Sequence, residues 1–205
     1  MKFYVMSEKK ERGCPVGLSN SALYDKFYPD IKKVKHGYFP WYSESRRAAS
    51  RTPFPQGMVL ISKEKLFDFD IRSDSNFFYI ASEEFLSLCK DFGLGVVDQA
   101  KIEVVSQSGK SISSKCYSAV LFEELDVVSN TDESSSFYVR SGLIGGFERL
   151  VLPAGWCKDI FKYKWLVGGS DTFICSEAFK DAAVYLKGIE YIPLEEVEWS
   201  KVSRI

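Results

Sequence analysis

Nucleophilic catalysis by serine or cysteine needs a base, and the chain holds a single histidine, His36, within Val34-Lys35-His36-Gly37-Tyr38. No G-x-S-x-G elbow accompanies it. Lone histidines in aromatic loops are more often surface or structural residues, so a hydrolase using His36 as base is a rival reading only. Carboxylates are adjacent at Glu83-Glu84, Glu123-Glu124 and Glu195-Glu196. Neighbours in sequence point to different sides of a strand or helix, so none of these marks an acid–base pair. Gly109-Lys110-Ser111 resembles the tail of a phosphate loop, but Val104 stands where its first glycine belongs, which favours a hairpin turn. The run Gly142-Leu143-Ile144-Gly145-Gly146 lacks the dinucleotide-binding order and reads as a turn or bulge. The five cysteines (Cys14, Cys89, Cys116, Cys157, Cys175) form no C-x-x-C pair, and no second imidazole exists to complete a zinc set. The expectation is a protein without catalytic residues, metal or cofactor, its thiols reduced.

Charge points towards binding instead. Net charge is −1, yet residues 1–51 carry eleven Lys/Arg against five Asp/Glu, while the remainder carries sixteen against twenty-three. Such asymmetry steers encounters with partners and says nothing of fold. In the basic part, Tyr38-Phe39-Pro40-Trp41-Tyr42 with Arg46, Arg47 and Arg51 could stack on bases and pair with phosphates, making a nucleic-acid-binding module the alternative function. Trp41 and Tyr42 could equally anchor a protein interface. In the acidic part, two clusters fit no apolar helix face: Asp126, Asp132 and Glu133 around a polar loop, and Glu195, Glu196 and Glu198. They are candidates to meet a positively charged partner such as a nuclease, against the plainer reading of solvated patches.

The elements that must position these residues follow from periodicity. Residues 2–6 (KFYVM) read as a strand, residues 24–55 are aromatic, basic and broken by four prolines, with a short helix expected near 44–51, and residues 57–61 (GMVLI) open the main body. An internal echo follows: residues 78–85 (FYIASEEF) match residues 172–179 (TFICSEAF) at an offset of 94. Both predict a strand, a serine cap (Ser82, Ser176) with glutamate in the first helical turn, and a helix. The stripes Phe85, Leu88, Cys89, Phe92 and Phe179, Ala182, Ala183, Leu186 share i, i+3, i+4, i+7 spacing, and Gly93 and Gly188 suit the helix ends. Residues 101–106 and 112–122 predict an antiparallel hairpin, residues 129–136 a loop, and residues 190–194 an edge strand at Pro193. The fold expected is α+β with a mixed or largely antiparallel sheet. A smaller aromatic-basic lobe would span 1–75, and a lobe holding both strand-helix units 76–205. No apolar run approaches the ~18 residues of a membrane helix, and a cytoplasmic location is expected.

The stretch from Phe78 to Phe122, with its capped helix, glycine stop and Gly109-Lys110 hairpin, resembles bacterial immunity proteins encoded beside polymorphic toxins. So does the stretch from Asp171 to Val197. The resemblance covers residues 76–197 and rests on structural motifs. It implies stoichiometric neutralisation of a cognate toxin domain, often a nuclease, used in competition between bacteria. It carries over no catalytic residue and leaves the first 75 residues outside.

Overall fold

Side chains alternate across a strand, so a strand buried along its whole length must be covered on both faces. That is the situation of β1 (Phe3–Glu8), all six residues of which are buried. Tyr4 and Met6 join one apolar cluster while Phe3 and Val5 join another. A computed structural model describes residues 2–34, 53–74, 78–140, 143–164 and 173–199. The remaining strands are β2 (Ser21–Tyr24), β3 (Met58–Ser62), β4 (Ile71–Asp74), β5 (Phe78–Ser82), β6 (Val96–Ser106) and β7 (Tyr117–Phe122), then β8 (Ser136–Arg140), β9 (Leu143–Arg149), β10 (Ile160–Lys162), β11 (Phe173–Ser176) and β12 (Ile189–Pro193). Helices α1 (Glu83–Asp91) and α2 (Glu177–Ala182) follow β5 and β11.

The strands form a six-stranded sheet, β2-β3-β6-β7-β5-β4, a four-stranded sheet, β10-β11-β1-β12, and the hairpin β8-β9. Only β3 and β6 pair in parallel among these. The fold is thus a sheet-rich α+β arrangement with little helix. Both sheets and both helices share one cluster, in which Phe173 meets Tyr79 at 5.0 Å and Phe122 at 5.1 Å between ring centroids.

The echo in the sequence is the visible part of a larger duplication. Ser82 Oγ accepts the Phe85 N–H at 3.1 Å, and Ser176 Oγ accepts the Phe179 N–H at 3.2 Å. Each serine is held by an aspartate one strand earlier. Asp70 accepts the Ser82 N–H at its carbonyl and the hydroxyl at its carboxylate, and Asp159 does the same for Ser176. The next amides donate to the neighbouring strand, Glu83 to the Cys116 carbonyl and Glu177 to the Lys2 carbonyl, both at 3.1 Å. The order β4-β5-β7-β6 is therefore repeated by β10-β11-β1-β12. In the first unit the third strand, β7, follows β6; in the second its place is taken by β1, from the other end of the sequence.

Arg72 locks the two units together. It is fully buried on β4, and its guanidinium donates to the carbonyls of Pro15 (2.8 Å), Ile71 (2.7 Å), Gly188 (2.9 Å) and Lys9 (3.2 Å), with the Glu8 carboxylate at 3.6 Å. Gly188 is required twice over: its φ is +77°, and a Cβ there would lie 2.8 Å from Arg72 Nη2.

Several expectations change. The sheets do not follow a division at residue 75, because β1 completes the four-stranded sheet and β2 to β4 belong with β5 to β7. The two strand-helix units accordingly occupy different sheets rather than one C-terminal lobe. Phe85, Leu88, Cys89, Phe179 and Ala183 are buried, but Phe92 and Leu186 are only half-buried, since α2 ends at Ala182 and Leu186 falls in the turn beyond it. The hairpin joins β6 to β7 through a turn at Gly109 (φ +78°), and β6 begins earlier than expected, at Val96. The edge position expected for Pro193 is found in β12. The helix expected near 44–51 lies outside the described residues.

Phe85→Ala and Phe179→Ala, at fully buried sites, should each cost about 2–5 kcal/mol in urea unfolding. Losses below about 0.5 kcal/mol, the size usual for surface sites, would show that neither ring is core. A second expectation concerns Glu8, whose carboxyl burial pushes above the ordinary range while Arg72 and the Gly17 N–H pull it back. A raised carboxyl contributes stability that is full below pH 4.5 and is lost as pH rises through the folded value. Arg72→Met removes the compensating charge and should cost about 3–5 kcal/mol at neutral pH, less in acid where Glu8 is protonated. Unfolding measured at both pH values checks this; an equal penalty in acid and at neutrality would separate Arg72 from Glu8.

Candidate partner-binding surface

The face of the four-stranded sheet turned away from the helices is covered by late segments of the chain. Phe3, Val5, Phe161 and Ile174 project from three of its strands and pack with Val127, Phe147, Leu150 and Tyr163. The hairpin β8-β9 contributes Phe137 and Phe147, whose rings lie 5.6 Å apart. A two-stranded hairpin is marginal alone, so this packing holds it. The last described segment covers the cluster by alternation: Leu194, Val197 and Trp199 pack inward, with Trp199 4.9 Å from Phe147, while Glu195, Glu196 and Glu198 are exposed.

This cover leaves a groove of about 930 Å³ between the start of β1, residues 148–156 and residues 194–199. Trp156 lines it, its ring 4.8 Å from Phe161. The indole Nε1 is buried and has no hydrogen-bond partner among the described residues. The groove also carries Lys2, Glu148, Arg149 and Glu195.

The first acidic cluster is fastened to a wall of the same groove. The Asp132 N–H and the Ser135 hydroxyl both donate to the Val151 carbonyl, at 2.9 and 3.0 Å, and Val151 lines the groove with Glu195. Asp126 accepts the Ser129 N–H and hydroxyl at 2.9 and 2.8 Å, which holds its carboxyl below the usual range. Asp132 accepts the Ser134 hydroxyl and N–H at 2.7 and 2.9 Å, with the same effect. Two of the candidate carboxylates therefore shape their own loop, and Glu133, exposed like Asp126, lies beside them. Just beyond, Tyr138 and Val139 are 54% and 58% exposed. Successive strand residues face opposite ways, so the far part of the hairpin is open to solvent on both sides.

A model of the family described as Immunity protein 43 (Imm43) matches residues 6–200. The chain belongs to the Imm43 family. Comparison with individually curated proteins returned no match. The Imm43 match takes in residues 6–75, which the sequence resemblance had left outside, in keeping with the place of β1 and β2 to β4 in the two sheets.

In this Imm43 chain Glu195 lines the groove and the Asp132 backbone is bonded to Val151 in its wall, whereas Trp41 and Tyr42 lie outside the described residues, as do His36, Arg46, Arg47 and Arg51. Sequence reasoning missed Trp156, Trp199, Tyr138 and Val139. The alternation in Val197-Glu198-Trp199 could have flagged a covering segment with an acidic outer face. Trp156 carries no local signal, since its burial depends on β10, reached through Phe161. Among the described residues no group of three or more His, Cys, Asp or Glu is placed to hold a metal ion, and no helix is long and apolar enough to cross a membrane.

Asp132→Ala should loosen the loop at neutral pH, read as faster exchange of the Ser134 amide hydrogen. A depressed carboxyl contributes stability above the unfolded value of 3.8 that is lost as pH falls through the folded value. The wild-type advantage should therefore fade in acid, and a pH-independent difference would mean that the carboxylate charge is not what orders the loop.

Proposed function

We propose that the chain neutralises a cognate bacterial toxin by stoichiometric binding, without catalysis, in the cytosol of the cell that carries both. The observation that carries this reading is the family match over residues 6–200. The surface supports it chemically. Exposed carboxylates from two distant parts of the chain border one groove, and such a patch accelerates encounter with a positively charged partner. A nuclease toxin fits that description, because its substrate channel must attract phosphates. The carboxylates would occupy phosphate positions, and the aromatic residues nearby would supply contact area.

Co-expression with the toxin encoded beside the gene is the direct test: wild type should restore growth. Reversing Glu195, Glu196 and Glu198 to Lys should weaken protection and slow association about tenfold or more at low ionic strength, with the difference shrinking in salt. Reversal of Glu133 should act in the same direction and less strongly. Full protection and unchanged association rates in both variants would remove the electrostatic part of the proposal.

A further inference from the structure

The hairpin β8-β9 has one edge left open. On one side β8 pairs with β9, and on the other no strand among the described residues meets it. Proteins usually blunt such an edge with lysine, proline or a bulge. β9 has that protection: Glu148 and Gly145 are extra residues, since Ser136 and Phe137 pair with Arg149 and Phe147, and Tyr138 and Val139 with Gly146 and Ile144. β8 (SFYVR) is unbroken and holds neither lysine nor proline. Its Tyr138 and Val139 are also short of neighbours. They face opposite sides of the hairpin and are 54% and 58% exposed. Tyr138 stands across from Gly146, which has no side chain and around whose missing Cβ no atom lies within 4 Å. The directly opposite neighbour against which a strand residue packs can therefore reach Tyr138 only from the open side.

We propose that β8 receives an extended strand of the toxin, which joins the hairpin as a third strand and sets apolar residues at two consecutive positions beside Tyr138 and Val139. This rests on the immunity reading and names the element of the partner that is bound. An open row of backbone donors and acceptors is matched along its length only by another extended backbone, so the edge itself fixes the occupant as a strand. Consecutive strand residues point to opposite faces, so one apolar residue covers each exposed side chain. The five residues of β8 are too few to hold two proteins together by themselves, since stable interfaces bury about 800 Å² on each side. The partner has to continue onto neighbouring surface, and the chain running into β8 presents exposed Glu133 and Ser134 there. That carboxylate favours a partner with positive charge at this point, as a nuclease toxin would have, over a second copy of this chain, whose net charge is −1. The acidic loop then sets the association rate, and the added strand the lifetime of the complex.

The test uses the full chain and the toxin encoded beside its gene, with hydrogen exchange read amide by amide. In the free protein the amides of residues 137–140 that point away from β9 should exchange fast, and with toxin bound they should slow by about tenfold or more. The double variant Tyr138→Ser/Val139→Ser, at exposed positions, should keep the wild-type melting temperature and association rate and dissociate about tenfold faster. If wild type binds no toxin, the immunity reading fails and the occupant with it. If it binds while these amides exchange as before, or while the double variant dissociates at the wild-type rate, the strand proposal alone is overturned. Outward amides already protected in the dilute free protein would mean that the edge is closed within the chain. Protection that rises with protein concentration in the absence of toxin would give the edge to a second copy, and either result overturns the proposal as well.

Discussion

A guanidinium removed from water needs partners for its donors, and each nitrogen of Arg72 finds at least one among four carbonyls, with the Glu8 carboxylate paired to it at 3.6 Å. Those acceptors come from Glu8 at the end of β1 and Lys9 just after it, from Pro15, from β4 and from the turn before β12. No two of the three outer segments could drift apart without stranding a charge in the interior. The two halves of the duplication are thereby held in one register, and Gly188 has to remain a glycine because the guanidinium fills the space its side chain would take.

With the halves locked, the remaining architecture follows from covering faces. The helices seal one face of the four-stranded sheet together with the six-stranded sheet. The other face carries Phe3, Val5, Phe161 and Ile174 and has no helix to hide it, so the hairpin β8-β9 and residues 194–199 lie over it. Cover assembled from separate segments meets imperfectly. The groove at Trp156 is such a seam, lined by Glu148 from the hairpin and by Glu195 from the last described segment.

How much of this was legible in the sequence depends on the range of the interaction. The serine caps, the glycine stop at Gly93 and the turn at Gly109 involve neighbours three or four residues apart, and those motifs are found as read, whereas Gly188 lies well past the end of α2 and closes no helix. The role of β1 is different: its pairing with β11 and β12 spans most of the chain and leaves no local mark, so a lobe boundary at residue 75 looked reasonable. Asp70 and Asp159 escaped notice because their offset is 89 where that of the serines is 94; a loop of different length between paired strands hides the match. Asp126 and Asp132 were legible as acidic but not as loop-formers, although serines two and three residues on are the usual partners of such turns.

The position of β1 also has a kinetic side. Tyr4 reaches Glu177 at a sequence separation of 173, a contact among the most distant the chain can make. Contacts of that span slow folding, because the entropy of closing the loop is lost before any pairing offsets it. During synthesis β1 emerges first and must wait, with both apolar faces uncovered, until β11 and β12 have left the ribosome. The first unit, β4 to β7, is contiguous and can fold meanwhile. The groove lined partly by Lys2 and partly by Trp199 is accordingly completed only after every one of these strands has been made. A newly made chain has no such groove until residues 194–199 have closed over the sheet that β1 completes.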